Sequence, residues 1–245
     1  MKALILAGAE NDSHLTKFKS NKALIKIHDK EMVRYIIDAF KDLDFVDTIA
    51  VVGPREALLP IENQVDIIVD SAASLTDNIL SGASIFSDDD MLLMSTSDIP
   101  MITPEAIRDF VEKSLSIDAD FYYPIVLKEE NEKKYPGVKR TYVRIKDGVF
   151  TGGNIVMIKA GKVKQCIKKA EAFMAYRKKP WKLAKILGLK FVLKFLLGTL
   201  TIKELQERVA ELFGIKARAI ISPYPEIATD VDKDSDLELA AKALG

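Results

Sequence analysis

The chain has one cysteine, two histidines and one tryptophan in 245 residues. A lone thiol, Cys166, excludes an internal disulfide and any cysteine-built metal cluster, and it suits a reducing, cytoplasmic setting. His14 and His28 are too few for a histidine-rich zinc site, so oxygen ligands must carry any metal chemistry. Net charge is missing too. The 36 basic side chains balance 36 acidic ones, so the whole molecule presents no field for nucleic acid, and attraction to an anionic surface would have to be local. Met1-Lys2 leads into only a short apolar run that stops at Gly8, which gives no support for export. The most apolar stretch, "LKFVLKFLLGTL" from Leu189, is interrupted by Lys190 and Lys194 and is too short to span a bilayer. A soluble chain is expected.

What is present is an alternation of strand and helix patterns. Ala3 to Ala7 reads as a buried strand ending at Gly8, and Met32, Val33, Ile36, Ile37 and Phe40 share one helical face. "DTIAVVGP" and "VDIIVD" read as strands, with a helix following through Leu75, Ile79, Leu80, Ala83 and Phe86. "MLLMSTSDIP" is a strand and loop, and Thr103-Pro104 is a clear helix start. This order predicts an α/β fold with a mostly parallel sheet covered on both faces. "DFYYPIV", "KRTYVRI" and "GNIVMI" then read as strands without intervening helices, an antiparallel flap with a hairpin turn at Lys146-Asp147-Gly148. From Ala160 to Phe213 the pattern is almost wholly helical, with Thr201 and Glu204 spaced as a capping box and Gly214 as a stop. "IKARAII" is the last strand, and Ser235 with Glu238 is a second capping box before a final helix. We expect one domain over 1–245, with 160–214 as a helical insertion.

Open α/β sheets bind ligands at the carboxyl ends of their strands. The loops from Gly8 to Lys22 and from Ser95 to Pro100 fall there. Asp98 lies just past its strand, where a carboxylate can meet magnesium or cap the turn before Pro100. Asp230 and Asp232 follow the last strand and, being two apart in an extended segment, share a face. One cation held by Asp98 and this pair is a reasonable geometry, while Asp234 and Asp236 suit the positive end of a helix.

Strand-loop-Lys at the start, x-Asp-x-Pro in the middle and Asp-Val-Asp before a terminal helix together resemble the MobA-like nucleotidyltransferases, relatives of molybdopterin guanylyl- and cytidylyltransferases and of sugar-phosphate nucleotidyltransferases. The resemblance covers roughly residues 1 to 158 and 215 to 244. It implies a Rossmann-like sheet of the nucleotidyltransferase and GT-A type, NTP and a small phosphorylated acceptor as partners, and magnesium as cofactor. By it, Lys22 in "NKALIKI" touches the nucleotide phosphates and works with Asp98 in catalysis. Ala7 and Gly8 border the nucleotide, and Ser74 and Asn78 in "SLTDNILSG" contact base or ribose. Asp98, Asp230 and Asp232 hold the metal, and the acceptor lies toward Tyr123, Lys139, Arg140, Gly153 and Asn154. The family loop reads Gly-x-Gly followed by x-Arg-Met, whereas this chain has Gly-Ala-Glu-Asn-Asp-Ser-His from Gly8. Lys17 or Lys19 would have to replace the arginine, without its bidentate fork.

The activity implied is transfer of a nucleoside monophosphate from an NTP with release of pyrophosphate. A nucleotide-sugar-dependent glycosyltransferase, or a nucleotide-binding protein without turnover, is the alternative. Over 177–203 the basic residues Arg177, Lys178, Lys179, Lys182, Lys185, Lys190, Lys194 and Lys203 occur among apolar ones. That segment suits packing on the core, a homodimer contact or a peripheral membrane contact.

Overall fold

The computed structural model describes residues 1–8, 21–138, 140–176 and 186–245. Strand β1 (Lys2–Leu6) is apolar throughout its centre because both its faces are covered. It lies between β4 (Thr48–Gly53) and β6 (Met91–Thr96), with β5 (Ile67–Asp70) beyond β4, and all four run parallel. A small separate hairpin, β2 (Lys26–Ile27) and β3 (Lys30–Glu31), follows the first loop.

Alternate strand residues point to opposite faces. Ala3, Ile5, Val51 and Leu93 pack under α1 (Met32–Lys41) and α4 (Pro104–Leu115), through Val33, Ile36, Phe40, Ile107 and Phe110. Leu4, Val52, Leu92 and Met94 face the other way, toward Ala83 and Val163. These belong to α3 (Leu75–Ser84), which follows the short α2 (Arg55–Leu58), and to the later helix that covers this face. The expected α/β sheet covered on both faces is therefore what the chain forms. Thr103 caps α4, its hydroxyl accepting from Ala106 N at 3.2 Å.

The antiparallel part is arranged around β7 (Phe121–Leu127). One edge of β7 pairs with β11 (Ala217–Ser222) in parallel. The other edge is shared: Phe121 and Tyr122 pair with β10 (Ile155–Lys159), and Ile125 to Leu127 pair with β9 (Gly148–Gly152). Strand β10 also runs antiparallel to β6, which joins both halves into one sheet. Strand β8 (Val143–Ile145) closes the expected hairpin with β9 through Lys146 and Asp147.

One expectation fails here. A helix, α5 (Lys128–Lys134), separates β7 from β8, where only strands were expected. Its sequence, KEENEKK, has no apolar stripe, but Glu129 and Glu130 in the first turn and Lys133 and Lys134 in the last complement the helix dipole. Asn131 supplies its buried contact.

Between β10 and β11 the described residues form α6 (Ala160–Tyr176), α7 (Leu189–Leu196) and α8 (Ile202–Phe213). Thr201 and Glu204 make the expected capping box, and Gly214 ends α8 at φ 71°, a left-handed conformation that glycine adopts without strain. Helix α9 (Asp234–Leu244) starts before Ser235. Its start is held by Asp236, whose carboxylate accepts from Asp232 N at 3.1 Å and Lys233 N at 3.2 Å, in place of the expected Ser235–Glu238 box.

Candidate active site

At the carboxyl end of β1, Ala7 N donates to Val52 O at 2.7 Å, which carries the chain past the strand to Gly8. A Cβ on Gly8 would lie 2.5 Å from Asn78 Nδ2, so only glycine lets the backbone approach α3 this closely. After the loop, Asn21 returns the chain to this edge. Its Nδ2 donates to Ala7 O at 2.8 Å, and its Oδ1 accepts from Ala23 N at 3.0 Å, capping a 3-10 turn over Lys22–Leu24. Lys22 is thereby held with its side chain buried and directed across the edge. Asn21 was not among the expected site residues. Its position immediately before a short turn is the signal that could have found it.

The Lys22 ammonium donates to Asp98 Oδ2 and to Asp232 Oδ1, at 2.6 Å in each case. Burial alone would pull the lysine pKa down, but the two carboxylates outweigh it and hold the group above its ordinary value. Val231 N donates to Asp98 O at 2.9 Å, docking the 230–232 segment on the end of β6. Arg140 donates to Asp230 Oδ1 and, at 2.8 Å, to Asp230 O. Oxygens of Asp98, Asp230 and Asp232 all lie within 4.8 Å of one another.

Three features of this cluster fit a hard divalent cation. Its carboxylates outnumber the lysine and arginine that face them, which leaves negative charge to be matched. Asp98 Oδ1 is buried and has no partner, a costly state for a carboxylate oxygen unless a ligand satisfies it. The donor set is all oxygen, as magnesium prefers.

The turn that delivers Asp230 is held by a buried polar network. Thr229 Oγ1 donates to Pro225 O at 2.8 Å and faces Asn131 Oδ1 at 3.5 Å, while Asn131 Nδ2 donates to Tyr142 at 2.8 Å. Lys134 donates to the buried Glu226 at 2.6 Å. Both Asn131 and Lys134 belong to α5, so the helix absent from the sequence expectation anchors the acidic segment.

The other expected site residues divide. Gly153 and Asn154 are brought to the same edge: Asn154 O accepts from Thr96 N at 3.0 Å, and Asn154 N donates to Ile227 O at 2.8 Å. Ser74 instead caps α3, its hydroxyl accepting from Asp77 N at 3.1 Å. Asn78 is buried, and its Oδ1 accepts from Ala72 N at 2.6 Å. Tyr123 stacks with Phe121 and faces α6 and α8, lining an apolar cavity of about 450 Å³ with Val163, Val209 and Phe213. That placement departs from the expected acceptor pocket, because strand alternation sends Tyr122 into the main core and Tyr123 to the opposite face. Arg140 is committed to Asp230 where an acceptor phosphate was expected. Lys139 lies outside the described residues.

Known proteins bear on this geometry as follows. The model of the MobA-like NTP transferase domain matches residues 3–180. A hypothetical transferase from Thermus thermophilus is 32% identical with a TM-score of 0.85, over 96% of this chain and 98% of that one. Such coverage takes in most of the helical segment expected to stand outside the resemblance. Two solved structures share the fold at lower identity. One is a 4-diphosphocytidyl-2C-methyl-D-erythritol synthase (13% identical, TM-score 0.61, 100% of this chain and 98% of that one). The other is the 2-C-methyl-D-erythritol 4-phosphate cytidylyltransferase of Francisella tularensis (16% identical, TM-score 0.58, 99% of each chain). No curated protein matches the sequence. The matched residues include Gly8, Lys22 and Asp98, and the chain belongs to the MobA-like NTP transferase family of nucleotidyltransferases.

Proposed function

We propose that this chain transfers a nucleoside monophosphate from an NTP to a small phosphorylated acceptor, with magnesium as cofactor. In the reaction an acceptor phosphate oxygen bonds to the α-phosphorus, the α–β bridging bond breaks, and pyrophosphate leaves with the electron pair. The observation that carries the reading is the Lys22 ammonium, 2.6 Å from Asp98 and from Asp232, beside the unpartnered Asp98 Oδ1. Transfer of this kind depends on positioning and charge neutralisation more than on covalent catalysis.

Asp98, Asp230 and Asp232 would hold magnesium, which when bound supplies positive charge to the phosphate oxygens. Lys22, kept protonated by its carboxylate neighbours, adds a second positive charge at the same edge. Gly8 leaves the end of β1 without a side chain, so backbone amides can approach the nucleotide. Gly153, whose N donates to Pro124 O, and Asn154, whose carbonyl accepts from Thr96 N, would border the place where the acceptor enters. Arg140 positions Asp230 and is a positioning residue in this scheme.

Exchange of labelled pyrophosphate into each NTP, with and without magnesium and phosphorylated acceptors, tests the proposal. Magnesium-dependent exchange with one NTP is expected. Release of a nucleoside diphosphate from a nucleotide-sugar would instead establish the glycosyltransferase reading, and tight NTP binding without exchange or product would establish a binding protein.

A further inference from the structure

Helix α8 carries an apolar stripe, Ile202, Leu205, Val209 and Phe213, yet none of its residues is buried. The stripe faces the sheet across open space: two cavities of about 450 and 320 Å³, which share Phe121, Tyr123 and Val209 as walls. Tyr123 lines both and is 36% exposed although α8 faces it. Gly152 makes room for its ring, since a Cβ there would collide with Tyr123 Oη. The other walls of the larger cavity include Met94 of β6, Ile79 of α3, and Val163 and Cys166 of α6, and no charged side chain lines it among the described residues. Such a lining takes hydrocarbon in preference to water.

The position of this space connects it to the active-site edge. Gly152, in the wall, directly precedes Gly153 and Asn154, and Ile79 directly follows Asn78, the residue that Gly8 approaches. Met94 shares its strand face with Thr96, whose backbone N donates to Asn154 O. Thr96 Oγ1 is buried and has no partner among the described residues, a costly state unless a ligand satisfies it. Strand β7 runs parallel to β6, both being antiparallel to β10, so it leads toward the same edge. The cavities follow β7 from Phe121 to Ile125. Four strand steps are about 13 Å, the length of roughly ten carbon–carbon bonds in an extended chain.

We propose that this space receives the hydrocarbon chain of the acceptor, which is then a phosphate monoester of a chain of about ten carbons. The phosphate would lie at Gly153 and Asn154, and the chain would pass Tyr123 and Val209. The inference rests on the transfer reading for the place of the phosphate, and chain binding is measured without transfer. The probe is decyl phosphate below its micellar concentration, given to the whole chain with magnesium and no NTP, beside inorganic phosphate, octyl phosphate and the uncharged decane-1,2-diol. Cys166, the only thiol of the chain, lines the larger cavity and serves as reporter.

At ten times its Kd, decyl phosphate should slow modification of Cys166 by methyl methanethiosulfonate about tenfold, because mass action leaves about a tenth of the protein unoccupied. Inorganic phosphate should not protect. Octyl phosphate should bind about ten- to twentyfold more weakly, the effect of two methylenes. Magnesium should strengthen binding of decyl phosphate and not of the diol. Val209→Trp, which fills both cavities at their shared wall, should make the Cys166 rate indifferent to decyl phosphate at a melting temperature no lower than that of the wild type. Should tryptophan destabilise the fold, Val209→Gln, which places an amide in the apolar wall, should weaken decyl phosphate about tenfold.

No slowing at Cys166, equal affinity for octyl and decyl phosphates, or wild-type binding by the Val209 variants would overturn the proposal. So would an equal magnesium effect on phosphate and diol, which would place the head away from the edge. Pyrophosphate exchange is run separately, without decyl phosphate. Its absence beside intact chain binding would strike the transfer reading and leave the cavity to an amphiphilic phosphate. With an NTP that exchanges, decyl phosphate should take up the labelled nucleotide, and exchange without that product would overturn its class as the acceptor.

Discussion

Lys22 and Asp98 are 76 positions apart in the chain, yet the lysine ammonium donates to the aspartate at 2.6 Å. The contact joins the 3-10 turn that Asn21 ties to the end of β1 with the loop after the neighbouring parallel strand β6, and Asp232 completes it from the far end of the sequence at the same distance. A lysine between two carboxylates can balance them in the free protein and face phosphates when a nucleotide is bound. In the proposed reaction the same three residues would serve both folding and chemistry.

Replacing Asp98 by Asn keeps the shape and removes one of the carboxylates that outnumber their cations. The fold should survive with a melting temperature close to that of the wild type, since Lys22 keeps Asp232. Turnover should fall by about two orders of magnitude or more, the scale on which removing one charge-stabilising group acts. Magnesium should also cease to raise the melting temperature, because a cation that binds the native state stabilises it only through that affinity. Near-wild-type exchange in a normally folded Asp98→Asn protein would remove this residue from the metal site.

Lys22→Ala separates phosphate recognition from support of the loop. Loss of one charge-assisted hydrogen bond corresponds to about 1.5–3 kcal/mol, or roughly ten- to a hundredfold in affinity. That loss should appear in titration calorimetry with an NTP and be absent with the nucleoside. Equal losses for both would mean that Lys22 acts on the 3-10 turn instead of on the phosphates.

Gly8→Ala tests the close approach at the end of β1. The new methyl would meet Asn78 Nδ2 at 2.5 Å, and Asn78 has little freedom to move because its Oδ1 holds Ala72 N. Overpacking of this kind costs about 1–3 kcal/mol, readable as a lower urea midpoint. Adding Asn78→Ser to Gly8→Ala should recover part of that loss. No recovery would place the strain elsewhere.

Acid titration isolates a different contact. Asp47 accepts from Lys2 at 2.5 Å and from the N-terminal ammonium at 3.1 Å. The Lys2 hydrogen bond is the largest of the causes that hold its carboxyl well below the ordinary 3.8. A depressed pKa contributes stability above the unfolded value and loses it as pH falls through the folded one. The stability margin of the wild type over Asp47→Asn should therefore be small and constant at neutral pH, and should narrow below 3.8. The aspartate is more than half exposed, so salt should shrink the margin as well. A margin that widens in acid would contradict the assignment.

The parallel half of the fold was legible because its determinants are local and periodic: apolar runs for strands, an i, i+3, i+4 stripe for α1, and Thr103-Pro104 for the start of α4. Helix α5 was not legible, since seven polar residues carry no stripe and the buried Asn131 finds its hydrogen-bond partners Thr229 and Tyr142 outside the helix. The β2–β3 turn was equally hidden. His28 and Asp29 adopt φ of 47° and 62° without a glycine to announce it. The grouping of Asp98 with Asp230 and Asp232 could be read from their places after strands, and that of Lys22 from the resemblance of its segment. The roles of Tyr123 and Arg140 could not, because which sheet face α8 covers, and where the 225–232 turn lies, are set by long-range pairing.

Arg140 gives the sharpest test of that distinction. Its guanidinium spans the side chain and the backbone carbonyl of Asp230, a two-point hold that lysine's single ammonium cannot reproduce. If Arg140 positions Asp230, Arg140→Lys should raise the magnesium concentration required for half-maximal exchange by about tenfold, the scale seen when a group supporting a metal ligand is removed. The KM for the acceptor should stay unchanged, because charge is conserved and acceptor contact is not involved. If Arg140 grips the acceptor phosphate, the pattern inverts: acceptor KM rises while the magnesium requirement holds. Steady-state kinetics varying magnesium and acceptor independently separate the two outcomes, and a rise confined to acceptor KM would return Arg140 to the acceptor pocket.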